Sequence, residues 1–176
     1  MAAPLRGFHF ALLMSPIPQL TESGCLSTTR RCLWVAGIRI SHLSEPPGPS
    51  RDPDILEHFV PPRAGPPFYL FEERTEAFYV VQGRFRFRCG ANDILVAAGQ
   101  FLQVPRGLPH LYENVAKDWG RLLNIITPGG LEPFFVELEA ASRSSPVSFD
   151  RILQLGSRHG ISILTSWIDC RTHPVT

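Results

Sequence analysis

The stretch GQFLQVPRGLPHLYEN (99–114) decides the fold when it is read with PPRAGPPFYLFEERTEAFYVVQG (61–83) upstream of it. The first stretch has the spacing Gly99-x5-Pro105-x-Gly107-x2-His110-x3-Asn114, and the second has Tyr69-x-Phe71-x4-Glu76-x6-Gly83. In both, short runs of β-forming residues are bracketed by glycine and proline, the pattern of strands joined by tight turns.

The same pattern continues on either side. Short strands are predicted at 68–71, 76–82, 84–89, 94–97, 101–104, 110–114 and 122–127, with turns supplied by Gly83, 90–93, 98–100, 105–109 and 116–120. Upstream, LWVAGIRISHL (33–43) reads as one strand, 44–54 as a proline-rich loop and 55–60 as another strand. Downstream of Pro128-Gly129-Gly130, EPFFVELEAAS (132–142) reads as a helix with Pro133 in its first turn. A second helix is predicted from Phe149 to Leu155, ended by Gly156, with a returning strand at 160–164. Many short strands with regular turn signals make an all-β sandwich or barrel, here with short C-terminal helices. With no internal repeat, the expected organisation is an N-terminal tail or arm at 1–30, one domain at 31–165 and a C-terminal tail at 166–176.

Composition narrows the class. The chain has 176 residues, 44% of them hydrophobic, enough for one domain with a real core. Its net charge is +1 with no basic patch or acidic run, which argues against nucleic acid or a membrane surface as partner. Arg84-Phe85-Arg86-Phe87-Arg88 interleaves aromatics with arginines, but strand alternation sends the two types to opposite faces, so they cannot act on one strand of nucleic acid. No apolar run reaches the roughly 20 residues that cross a bilayer. Cys25, Cys32, Cys89 and Cys170 form neither a CxxC pair nor a zinc spacing, which fits reduced thiols in the cytoplasm.

With these residues in view, the chain resembles the cupin superfamily, in particular its single-domain, quercetin-dioxygenase-like branch. The segments 61–83, 99–114 and RLLNIITPGGLEPFF (121–135) carry the likeness. The resemblance implies a cupin β-barrel (double-stranded β-helix, or jelly roll) and a homodimer. In typical members, the positions of Tyr69, Phe71, Glu76 and His110 hold His, His, Glu and His, which together bind a divalent transition metal. Here the first motif is degenerate. Phe71 has no ligand atom, and Tyr69 would have to lose a proton from a group of pKa about 10. The ligand set therefore points to no bound cofactor. Should a metal bind, its ligands are Glu76 and His110, with Tyr69 or His58 as a third.

The resemblance also implies that the faces carrying Tyr69 and Phe71, Glu76 and Phe78, and His110 and Tyr112 line the barrel interior. Tyr69, Glu76 and His110 are then the candidate catalytic residues, and Phe71, Phe78 and Tyr112 the candidate substrate wall, with Arg63 as a candidate rim residue for an anionic group. A carboxylate, an imidazole and a phenol in an apolar cavity can move protons near neutral pH. The leading expectation is metal-independent isomerisation, dehydration, cyclisation or decarboxylation of an oxygenated hydrophobic or aromatic compound. Two alternatives stay open: a metal-dependent dioxygenase of the quercetin-dioxygenase type with an altered ligand set, and a non-catalytic ligand-binding or structural protein. Glu72, Glu73 and Arg74 read as a solvated turn, and Asn124 could face either way.

Overall fold

The computed structural model describes residues 31–35, 37–44, 52–142 and 147–164, so the expected tails at 1–30 and 166–176 lie outside the described residues. The run at 33–43 is not one strand but a hairpin. Strands β1 (Arg31–Val35) and β2 (Ile38–His42) pair antiparallel with Val35 opposite Ile38. Gly37 lies in the reversal at φ +80°, a conformation open to glycine at little cost. The β-forming residues on both sides hid the turn, because strand propensity carries no information on where a chain reverses.

The strands that follow are β3 (Asp54–Val60), β4 (Tyr69–Phe71), β5 (Thr75–Gln82), β6 (Arg84–Cys89), β7 (Asn92–Ala97), β8 (Phe101–Val104), β9 (His110–Asn114), β10 (Gly120–Thr127) and β11 (Ile161–Ile163). They form a six-stranded sheet in the order β1-β2-β3-β10-β5-β8 and a five-stranded sheet in the order β11-β4-β9-β6-β7. The two sheets enclose the core of an all-β barrel, as the turn spacing predicts.

Alternation sets what faces inward. Phe85 and Phe87 of β6 are fully buried, while Arg86 and Arg88 turn outward to Glu113 (3.8 Å) and Asp93 (3.3 Å). Phe78 packs its ring 4.9 Å from that of Phe87 and 5.8 Å from that of Tyr112. Each such side chain contributes about 1.5–3 kcal/mol through burial. Close packing also explains the glycine that opens β10. A Cβ on Gly120 would meet the Phe85 ring at 2.5 Å.

Helix α1 (Glu132–Ser142) forms where predicted. Helix α2 (Phe149–Arg158) begins at Ser148, whose hydroxyl accepts the Arg151 N–H. It does not end at Gly156. That glycine sits inside the helix where β11 passes closely, and an added Cβ would come within 2.9 Å of the Ile161 carbonyl oxygen. The chain reverses instead at Gly160, φ +72°. Arg74 is likewise not a solvated turn residue. Its Nε donates to the Pro128 carbonyl (3.2 Å) and its Nη1 to that of His159 (3.0 Å), which ties the β4–β5 turn to the helical segment. No described helix is long and apolar enough to cross a membrane.

Candidate functional site

Tyr69, Glu76 and His110 meet inside the barrel. Antiparallel pairing of β4 with β9 sets Tyr69 opposite His110, and Glu76 reaches them from β5 in the other sheet. His110 Nε2 lies 2.7 Å from Glu76 Oε2, and the Tyr69 hydroxyl donates to both carboxylate oxygens at 2.9 and 3.0 Å. Glu76 and His110 are almost completely buried, at 3% and 1% exposure. His110 Nδ1 stands 2.8 Å from the Leu108 carbonyl oxygen, which can only accept, so Nδ1 carries a hydrogen. The 2.7 Å contact on the other side of the ring then holds one proton, shared between imidazole and carboxylate.

Tyr69 remains a phenol. Burial first, and the neighbouring Glu76 charge second, push its pKa well above the usual value. Its single proton is directed at Glu76, so it is not free in this arrangement to donate to a substrate oxygen.

Sequence reading left two further members of the site undecided. Asn124 of β10 faces inward and its Nδ2 donates to Glu76 Oε1 at 2.7 Å. His58 of β3 also faces inward, with Nδ1 2.8 Å from the Tyr112 hydroxyl. Burial lowers the His58 pKa to about 3, so the ring is neutral. His58 Nε2 and Asn124 Oδ1 are both buried without a hydrogen-bond partner among the described residues. Neither residue belongs to a spaced motif. The available signal was alternation along β3 and β10, which puts both on the inner face with Leu56 and Leu122.

Glu76, Asn124, His58, Tyr69 and Tyr112 open onto a cavity of about 390 Å³. The barrel contributes Ile38, Ile40, Phe71 and Ile126 to its wall, and the segment after β10 contributes Leu131, Phe134, Phe135 and Leu138. No lysine or arginine lines it among the described residues. His110 stands behind Glu76 and does not reach the cavity wall. Phe78 is not a wall residue either, because it is enclosed by Phe87 and Tyr112 in the core beneath. Arg63 lies on the exposed surface at φ +61°, held by its own N–H to the Asn114 carbonyl, and is not among the residues that line the cavity.

A second buried polar cluster positions the C-terminal wall. Asp54, at the start of β3, accepts the Leu131 N–H at 2.6 Å and lies 3.4 Å from His42 Nε2. His42 in turn donates from Nδ1 to the Ser44 carbonyl. The contact with Asp54 is the main cause that raises the His42 pKa. Burial on its own would raise the Asp54 carboxyl, but His42 and the backbone N–H groups of Leu131 and Gly130 together take it below its usual value.

The residues do not fit the metal that the resemblance implies. Phe71 offers no donor atom, and Tyr69 remains a phenol with its proton directed at Glu76. No group of three or more His, Cys, Asp or Glu side chains among the described residues is placed to hold a metal ion.

Comparison with known proteins agrees with the architecture. Residues 56–126 match the family model described as Cupin domain. Over 93 residues the chain is 30% identical to the quercetin 2,3-dioxygenase of Bacillus subtilis, a match that covers 49% of this chain and 27% of the relative. The chain thus spans about a quarter of the length of that curated relative. The crystal structure of an RmlC-like cupin from Shewanella frigidimarina superposes with a TM-score of 0.52 at 16% identity, covering 65% of this chain and 96% of the other. That of a predicted oxalate decarboxylase from Thermotoga maritima gives 0.51 at 19% identity, covering 57% and 93%. Given the barrel, the two spaced segments and these matches, the chain belongs to the cupin superfamily.

Proposed function

We propose that this cupin binds a small, largely apolar, oxygenated molecule and relocates a proton on it at Glu76, without a metal. One observation carries the proposal. The Glu76 carboxylate opens into an apolar cavity of about 390 Å³ while protein donors hold it from behind and from the sides. Such a cavity with a few convergent polar groups has the form of a small-molecule site.

The chemistry follows from the shared proton. Glu76 takes a proton from a carbon next to a carbonyl and becomes the neutral acid, while His110 keeps the charge balance behind it. The same proton returns to a different atom, which gives isomerisation, or assists departure of a hydroxyl, which gives dehydration. No oxidant enters either step. Tyr69 and Asn124 hold the carboxylate in place throughout. The B. subtilis relative is named for an oxygenase reaction, and carrying that reaction to this chain requires a third metal ligand that Phe71 does not supply.

The free thiols of Cys32 and Cys89 support a reducing, cytoplasmic setting. Tyr79 and Phe101 lie opposite one another on β5 and β8, both exposed, and give the proposed homodimer an apolar contact.

The test is proton exchange at a model ketone. α-Tetralone in D2O, followed by NMR, is expected to lose its protons next to the carbonyl faster with the wild-type protein than with Glu76→Gln. Equal rates for both proteins, or no acceleration over buffer, defeat the proposal.

A further inference from the structure

We propose that His58 and Asn124 form a donor–acceptor subsite that selects uncharged ligands by a hydroxyl group; the inference rests on the cavity taking a ligand, as proposed above. Both side chains are more than nine-tenths buried, both line the cavity, and each leaves one polar atom without a partner among the described residues. Buried polar atoms are nearly always paired, so two orphans on one wall point to a molecule that pairs them.

The polarity of each orphan can be worked out. A carboxylate oxygen 2.7 Å away accepts from Asn124, which fixes the amide with Nδ2 toward Glu76 and leaves Oδ1 as the unpartnered acceptor of a residue that lines the cavity. The Tyr112 hydroxyl has His58 Nδ1 as its partner at 2.8 Å. With the phenol donating to Nδ1, the neutral ring carries its hydrogen on Nε2, and one atom is left unpaired. The opposite tautomer leaves both the phenol hydrogen and Nε2 unpaired. The wall therefore offers one N–H donor, at His58, and one carbonyl acceptor, at Asn124.

Register places them as neighbours. Asn124 is opposite Leu56 and His58 is opposite Leu122, so the two are diagonal across β3 and β10 on one face. Diagonal positions of this kind have Cα atoms about 7–8 Å apart, close enough for two converging side chains to share one group. A hydroxyl both accepts and donates, so a single one satisfies both atoms. It also lies next to Glu76, to which Asn124 is bonded.

The rest of the wall decides the body of the ligand. It is aliphatic and aromatic, and no cationic side chain lines it among the described residues. Phosphate esters and carboxylates would enter without a counter-charge, and polyols would leave most of their hydroxyls unpaired. What fits is a neutral, mostly hydrocarbon molecule with a phenol or an enol at one end.

The experiment is direct binding by calorimetry on the full chain with four probes: 2-naphthol, 2-methoxynaphthalene, 2-methylnaphthalene and 2-naphthoate. The expected order puts 2-naphthol first by about tenfold or more over 2-methylnaphthalene, since leaving the buried pair unmet forfeits the hydrogen bonds. The methyl ether, which cannot donate to Asn124, falls between them, and the anion binds most weakly. His58→Phe and Asn124→Leu are expected to remove the preference while keeping affinity for 2-methylnaphthalene. The probe series in the wild-type protein tests the subsite even if a variant fails to fold. Equal affinity for 2-naphthol and 2-methylnaphthalene overturns the subsite but leaves the cavity as a ligand site. Absence of binding by all four overturns both.

Discussion

His110 stands behind Glu76, with Nε2 2.7 Å from the carboxylate and Nδ1 anchored 2.8 Å from the Leu108 carbonyl. The imidazole is thereby fixed in orientation, and the one proton between ring and carboxylate is the only mobile element of the pair. Removing either partner has different consequences.

Glu76→Gln keeps the geometry. The amide oxygen accepts from Tyr69 and Asn124, and the amide N–H donates to the neutral His110 ring. Its stability is expected within about 1 kcal/mol of wild type. His110→Ala leaves a buried carboxylate without its ring partner, and a loss of about 3–5 kcal/mol is expected. Urea unfolding of the two variants checks this. A His110→Ala protein as stable as wild type would show that the pair contributes nothing to the fold.

The second prediction concerns metal. Wild-type protein offered Fe, Mn, Ni, Cu and Zn is expected to retain far less than one metal per chain after gel filtration. The double variant Tyr69→His, Phe71→His restores the nitrogen ligands that typical cupins carry and is expected to retain a metal stoichiometrically. Elemental analysis of both proteins decides it, and a wild-type chain that holds one metal tightly contradicts the account of the ligand set.

The third prediction is a pH dependence that comes from His42 and Asp54. The raised His42 pKa contributes stability that is complete below its ordinary value of 6.5 and is lost as pH climbs through the higher folded value. The lowered Asp54 pKa contributes stability that is complete above 3.8 and is lost as pH falls through the lower folded value. Thermal stability from this cluster should be greatest between those two limits. His42→Gln is expected to flatten the decline on the alkaline side, as read from Tm across pH. An unchanged alkaline profile in that variant rules out His42 as its source.

A fourth prediction tests the surface. Arg63 holds φ +61°, which costs a side chain about 1–2 kcal/mol, partly offset in glycine by its freer unfolded chain. Arg63→Gly is expected to stabilise the protein by about 0.5–1 kcal/mol and to leave ligand affinity unchanged, because the residue does not line the cavity. A fall in affinity for a bound aromatic would restore Arg63 to the site.

Much of the barrel was legible because glycine and proline mark its turns and because Phe85, Phe87 and their arginines alternate cleanly. The convergence of Tyr69, Glu76 and His110 was legible only through the family's spacing, since three strands of two sheets supply them. What lay beyond reach had no local signature. The hairpin at Gly37 interrupts a run of uniform strand formers, and Gly156 serves close packing rather than helix termination. The place of Phe78 beneath the cavity and not at its wall depends on how the strands tilt and pair, which a single strand's alternation leaves undetermined.

The wall of the cavity comes from three stretches of chain, the first of them Val35, Ile38 and Ile40 of the opening hairpin. Glu76, His110 and their neighbours lie within 56–126, the part that matches the cupin family model. Leu131, Phe134, Phe135, Leu138, Ile152 and Ile161 lie after it and complete the lining. On the proposed function, reactivity and much of the fit are thus written in different segments. Substitutions in the helical segment can retune which molecule is admitted without disturbing the proton-bearing pair, so relatives that share the barrel need not share a ligand.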